Sequence, residues 1–136
     1  MTQTLPDEVR IQSEADIVMA RKAVREAATE LGFGVTDVTR IVTAASELTR
    51  NIYHYAGLGQ MRLRMINLAG RVGLELTFED HGPGISNVAQ AMEPGFSTSK
   101  GLGMGLPGAK RLMDEMNIES AAGKGTTVQV RKWLKT

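Results

Sequence analysis

The chain contains no cysteine, which excludes disulfides, thiolate metal sites, iron–sulfur clusters and a cysteine nucleophile. Two histidines are too few for a histidine-rich metal centre. Aromatic residues make up 4% of the chain, too few for a base-stacking platform. No sign of charge dominates: 16 basic and 15 acidic residues are well mixed and leave a net charge of +1, with a sequence pI of about 8.1. A nucleic-acid binder presents a clearly basic face, so no nucleic-acid partner is expected. No apolar run approaches the roughly 20 residues of a membrane span. The polar stretch from Met1 to Arg10 lacks the basic-then-apolar layout of a signal peptide. The expectation is a cytoplasmic protein with no membrane partner.

What is present fits one domain over residues 1–136, with a mass of 14.7 kDa. A chain of this size buries roughly two-thirds of its unfolded surface, enough for a core without staples. Its 42% hydrophobic and 23% charged content is that of a soluble globular protein. Glycine is the outlier at 15 residues, and the positions of those glycines carry the argument.

Glu8 to Ile11 reads as a short edge strand. Ser13 is a helix cap, with acidic side chains following where the helix dipole favours them. Ile17, Ala20, Val24, Ala27, Ala28 and Leu31 recur at helical spacing, and Gly32 is the stop. A second helix opens at Thr36-Asp37. Its apolar stripe is Val38, Ile41, Val42, Ala45, Leu48 and Ile52, with Arg40, Ala44, Glu47 and Asn51 on the polar side. The period then changes from 3.6 to 2. Met61, Leu63 and Met65 alternate with arginines, and Val72, Leu74, Leu76 and Phe78 follow after Ala69-Gly70, as in an antiparallel hairpin. Residues 80–105 are rich in Gly, Ser, Pro and Thr, with at most one short helix near Asn87 to Met92. A connection this long is usually functional or mobile. A third helix from about Leu106 to Met116 buries Leu106, Leu112, Met113 and Met116. Strands from Ile118 to Ala121 and Thr126 to Trp133 close the chain. The order β-α-α-β-β-loop-α-β-β implies an α/β two-layer sandwich: a mixed, mainly antiparallel sheet with helices on one face.

Four local patterns can carry chemistry, and each has an ordinary explanation as well. Glu47 and Asn51 stand four apart on one helix face. They are either a solvated pair or a carboxylate base beside a magnesium ligand, since magnesium takes few protein oxygens plus phosphates. Asp80-His81-Gly82-Pro83-Gly84 follows a strand. It is either a turn or a carboxylate that accepts a hydrogen bond from a ligand amine, with Gly82 and Gly84 admitting a flat ring. Gly101-Leu102-Gly103-Met104-Gly105-Leu106 runs into a helix, where unhindered N–H groups bind anions. Lys100 precedes it, and Ser97, Thr98 and Ser99 supply hydroxyls. Gly103, Gly105 and Gly108 spell a dinucleotide fingerprint, but no strand precedes them, so its context is missing. Gly123-Lys124-Gly125-Thr126 is sufficiently explained as a hairpin turn.

Together and in this order, the four patterns resemble the N box and three glycine boxes of the GHKL (Bergerat-fold) ATP-binding superfamily, which includes gyrase B, histidine kinases and MutL. The resemblance implies a mobile lid, roughly residues 85–100, over ATP and Mg2+. It implies that Asp80 accepts the adenine amino hydrogen bond, with Thr126 supporting that end through water. Asn51 would coordinate magnesium, the amides of Gly101 to Gly105 would wrap the phosphates, and Glu47 would be the general base. The ATP-binding set is then Asn51, Asp80, Gly82, Gly84, Ser97, Thr98, Lys100, Gly101, Leu102, Gly103, Met104, Gly105, Leu106 and Thr126.

The longer strings Ser46-Glu47-Leu48, Arg50-Asn51-Ile52-Tyr53, Gly95-Phe96-Ser97-Thr98-Ser99 and Lys110-Arg111-Leu112-Met113-Asp114-Glu115 are similar to the RsbT-type stressosome switch kinases of bacterial partner-switching systems. The main departure is Thr49, where a small alanine is expected. The resemblance implies a protein-serine/threonine kinase acting on a STAS-domain stressosome protein. Once released, the kinase would activate a downstream protein such as a PP2C-type phosphatase that controls a sigma factor. An anti-sigma factor kinase shares every box and remains open, as does a non-catalytic nucleotide-gated switch. Arg21, Lys22 and Arg25 form a basic patch on the first helix that is either a solvated face or part of a partner surface. A homodimer through a helical face or the strand at 60–68 is compatible with the sequence, which has no apolar run that demands one.

Overall fold

Ser13 starts the first helix through its side chain. In the computed structural model, which describes residues 7–84 and 105–135, Ser13 Oγ accepts the Asp16 N–H at 3.3 Å. The Asp16 carboxylate reaches back to accept the Gln12 N–H at 2.9 Å, so two otherwise orphaned donors are satisfied. Helix α1 (Glu14–Leu31) ends at Gly32, whose φ of 104° lets its N–H turn back to the Ala28 and Thr29 carbonyls. Helix α2 (Val35–Tyr55) begins one residue before Thr36, behind Gly34, which supplies no side-chain cap.

The remaining elements are β1 (Glu8–Ile11), β2 (Gly59–Leu68), β3 (Arg71–Asp80), α3 (Gly105–Leu112), β4 (Glu115–Ser120) and β5 (Thr126–Trp133). The strands form one sheet in the order β1-β2-β3-β5-β4. Every neighbouring pair is antiparallel, so the parallel component of a mixed sheet is absent among the described residues. The connections explain this. Two helices between β1 and β2 return the chain to the end where β1 stopped, so β2 runs back beside it. Strands β3 and β4 point the same way across α3, but β5 lies between them. The expected helix near Asn87 to Met92 and the lid at 85–100 lie outside the described residues.

Helix α3 is shorter than its sequence period suggests, and Met116 is a strand residue. Asp114 marks the change. Its N–H donates to the Arg131 carbonyl at 2.9 Å, and its carboxylate accepts the Trp133 N–H at 2.8 Å. Glu115 therefore begins β4 opposite Arg131. The ladder offered by β5 overrides the local helical pattern.

Leu63, Leu74, Leu76, Phe78, Val128 and Val130 point from the sheet toward the helices and share the core with Val24, Ile41 and Leu48. Helix α2 packs against α1, α3 and the sheet, so its polar face is narrower than expected. Ala44, assigned to that face, is fully buried, and Ser46 and Thr49 are buried too. The Thr49 hydroxyl donates to the carbonyls of Ala45 (2.8 Å) and Ser46 (3.1 Å), which is how the helix tolerates a polar residue at a site suited to alanine. On the opposite sheet face, buried Glu75 lies between Arg64 (2.8 Å) and Arg131 (2.9 Å). Paired charges lie on the side that none of the described helices covers.

Replacing Ser13 with alanine removes the α1 cap. Urea unfolding of Ser13→Ala should show a loss of about 1 kcal/mol with an unchanged denaturant slope.

Candidate functional site

One cavity opens where α2, the ends of β3 and β5, and the first turn of α3 meet. Its walls are Leu48, Asn51, Ile52 and Tyr55 from α2, Phe78 and Asp80 from β3, Pro83 and Gly84 from the next turn, Leu106 from α3, and Thr126 and Val128 from β5. Antiparallel register places Phe78 opposite Val128 and Asp80 opposite Thr126. The apolar pair forms the floor and the polar pair forms one end. Of the residues singled out in the sequence, Asn51, Asp80, Gly84, Leu106 and Thr126 therefore meet in one place although they span much of the chain.

Glu47 lies one helical turn before Asn51 and is not part of the cavity wall. Its carboxylate accepts from Arg50 at 3.1 Å, and both side chains are partly exposed. Gly105 is the first residue of α3. Ser97, Thr98, Lys100, Gly101, Leu102, Gly103 and Met104 lie outside the described residues.

At both glycines of the Asp80 turn a side chain would collide with the protein itself. A Cβ at Gly82 would stand 2.6 Å from the Ala56 Cβ at the end of α2. Gly84, at φ 76°, has no room for a Cβ against the Ala121 carbonyl. Gly125, at φ 80°, likewise presses on the Asp80 carbonyl. The Gly123 N–H donates to the Pro83 carbonyl at 2.6 Å. The turn after β3 and the turn before β5 are thus locked together, with Asp80 between them.

Asp80 accepts the Gly82 N–H at 2.9 Å and a backbone N–H from Thr126. Burial nevertheless raises its pKa, outweighing the lowering effects of those two bonds and of nearby His81. Ser120 Oγ donates to the Gly125 carbonyl at 2.8 Å and lies 2.9 Å from Thr126 Oγ1. With the Ser120 proton committed, Thr126 is the donor in that second bond. A carboxylate at one end of a narrow apolar slot suits a flat heterocycle with an exocyclic N–H donor.

Tyr55, Ile52, Leu48, Phe78 and Val128 were not read as site residues. Tyr55 had a signal, because it lies four residues beyond Asn51 on the same helix face. The others were legible only as core, since a cavity wall and a core position have the same periodicity.

A family model described as histidine kinase-like ATPase domain matches residues 5–132. The chain belongs to this family. It is 56% identical over 127 residues to the serine/threonine-protein kinase RsbT of Bacillus subtilis (strain 168), covering 93% of this chain and 96% of that protein. It is 34% identical over 121 residues to an anti-sigma F factor of Caldanaerobacter subterraneus subsp. tengcongensis, covering 85% and 83%. The solved SiaB–SiaC complex of Pseudomonas aeruginosa contains a chain of the same fold, with a TM-score of 0.54 at 12% identity, covering 93% and 89%.

In this histidine kinase-like ATPase domain, the raised pKa of Asp80 has a definite sign. The folded protein holds the proton at a pH where the unfolded chain has lost it. Stability is therefore lost as pH rises through the folded pKa, and the ionised carboxylate is a net cost at neutral pH. Asp80→Asn should raise the melting temperature at neutral pH more than in acid. It should weaken ADP binding about tenfold or more, as loss of a charged hydrogen-bond acceptor implies. Calorimetry on both proteins from about pH 3 to about pH 8, an interval that spans both sides of ordinary carboxylate titration, checks both effects. Wild-type ADP affinity should fall as pH is lowered, beginning at a point above the usual carboxylate range.

Proposed function

We propose that the chain is an ATP-dependent protein-serine/threonine kinase of the partner-switching type. The observation that carries the reading is the meeting of Asp80, Thr126 and Asn51 in one apolar-walled cavity, with Glu47 one helical turn away. The 56% identity to a serine/threonine-protein kinase over nearly the whole chain supports the same reading. The 34% identity to an anti-sigma factor lends less to the sequestering alternative.

Asp80 accepts the adenine amino hydrogen, and the slot of Ile52, Phe78 and Val128 holds the ring. The glycine run from Gly101 to Gly105, with Lys100, Ser97 and Thr98, serves the phosphates. Asn51 offers an amide oxygen, and no cluster of three acidic or histidine side chains suited to a metal occurs among the described residues. That donor set fits a magnesium ion arriving with the nucleotide, held largely by phosphate oxygens. The ion supplies charge neutralisation when bound. Glu47 orients the acceptor hydroxyl and takes its proton. The acceptor oxygen forms the bond to the γ-phosphorus, the β–γ bridging oxygen leaves with ADP, and the protein's contribution is positioning and charge. The acceptor is a serine or threonine of a STAS-domain partner. The released kinase then engages an output protein such as a PP2C-type phosphatase. The exposed basic residues Arg21, Lys22 and Arg25 on α1 are candidates for the partner surface.

The test is phosphoryl transfer from MgATP to a purified STAS-domain protein, read by intact mass. Wild type should add one phosphate. Glu47→Ala should bind ADP normally and transfer at least about a hundredfold more slowly. Equal rates would remove Glu47 from the mechanism, and ADP binding without any transfer would favour a nucleotide-gated switch.

A further inference from the structure

Lys132 is buried, and the reading above gives it no role. It projects from β5 toward the helices, where its Nζ donates to the carbonyl of Leu112 at 2.8 Å. Leu112 is the last residue of α3. The same ammonium stands 3.8 Å from Asp37 in the first turn of α2 and 3.6 Å from Asp114 just beyond α3. Two carboxylates and an orphan helix carbonyl thus converge on the ammonium, and because Asp37 also accepts from Arg40 at 3.1 Å, two cations face two carboxylates around the buried charge.

The location matters more than the burial. Helix α2 runs from Asp37 toward Asn51 and Tyr55 at the cavity, and α3 runs from Leu106 at the cavity back to Leu112. The two helices that wall the cavity are antiparallel, and Lys132 joins their ends farthest from it. We infer that Lys132 is a positioning residue for the nucleotide site: it sets where the first turn of α3 stands against α2 by clamping the far ends of both helices. The inference rests on reading the cavity as a nucleotide site. Leu106 and Leu112 are about 9 Å apart along the helix, so a tilt of about 10° about the clamp moves the first turn by about 1.5 Å. Displacements of that size are large for a binding constellation. Lys110 and Arg111 in the last turn of α3 favour the helix through its dipole, but neither forms an ion pair with α2 among the described residues.

The experiment pairs two readouts on wild type, Lys132→Met and Lys132→Arg. One is the equilibrium affinity for ADP, measured well below the melting temperature. The other is the α2–α3 spacing between spin labels at Thr43→Cys and Lys110→Cys, both exposed positions in a chain without native cysteine. Lys132→Met should weaken ADP binding about tenfold and broaden the distance distribution, and Lys132→Arg should restore most of both. A lysine that only stabilises the fold would lower the melting temperature and leave both readouts at wild-type values, which overturns the proposal. Should Lys132→Met not fold, the double variant Asp37→Asn/Asp114→Asn is read the same way, and unchanged values overturn the proposal equally. If wild type binds no ADP, the nucleotide reading fails, while the label distances still decide the clamp.

Discussion

The pairing of β3 with β5 is the constraint on which the site depends. It sets Asp80 opposite Thr126 and Phe78 opposite Val128, and so makes the polar end and the floor of the cavity together. The two turns beyond that pair lock against each other through Gly84 and Gly125. Asp80 is therefore held by backbone on both sides, and its burial is imposed by the ladder. A carboxylate placed by a sheet register has little freedom to relax toward solvent, which is why its pKa is raised although it accepts two backbone N–H groups.

The second constraint is the burial of α2. Contact with α1, α3 and the sheet buries its apolar stripe together with Ala44, Ser46 and Thr49. Asn51 and Glu47 sit where that burial gives way, at the edge of the cavity and just outside it. The ion pair of Glu47 with Arg50 is partly exposed, and such pairs contribute little to stability. The Glu47 position is thereby separable from the fold, whereas Leu48 and Ile52 serve core and cavity at once.

Much of this was legible in the sequence because the signals were local. Ser13 and Gly32 marked α1, the alternating apolar residues marked β2, β3 and β5, and the patterns singled out Asn51, Asp80, Gly84, Leu106 and Thr126, which meet at one cavity. Met116 was misread because a helical period persists past Leu112, and only the ladder to β5 reveals that β4 has begun. Ala44 was misread because alanine suits either face of a helix. The glycines after Asp80 read in sequence as turn or ligand-access residues, and only the fold shows that Ala56 and Ala121, remote in sequence, also crowd them.

By itself the sequence determined the caps of α1, the periods of α1, α2, β2, β3 and β5, and the residue types available for chemistry. These depend on neighbours within a few positions, so no fold is needed to read them. Only the tertiary structure decided that all neighbouring strands are antiparallel, that Tyr55 and Val128 wall the cavity, and that Lys132 faces Leu112, Asp37 and Asp114. Those facts depend on strand order and helix crossing. A lysine at a strand position reads as solvated until the elements opposite it are known.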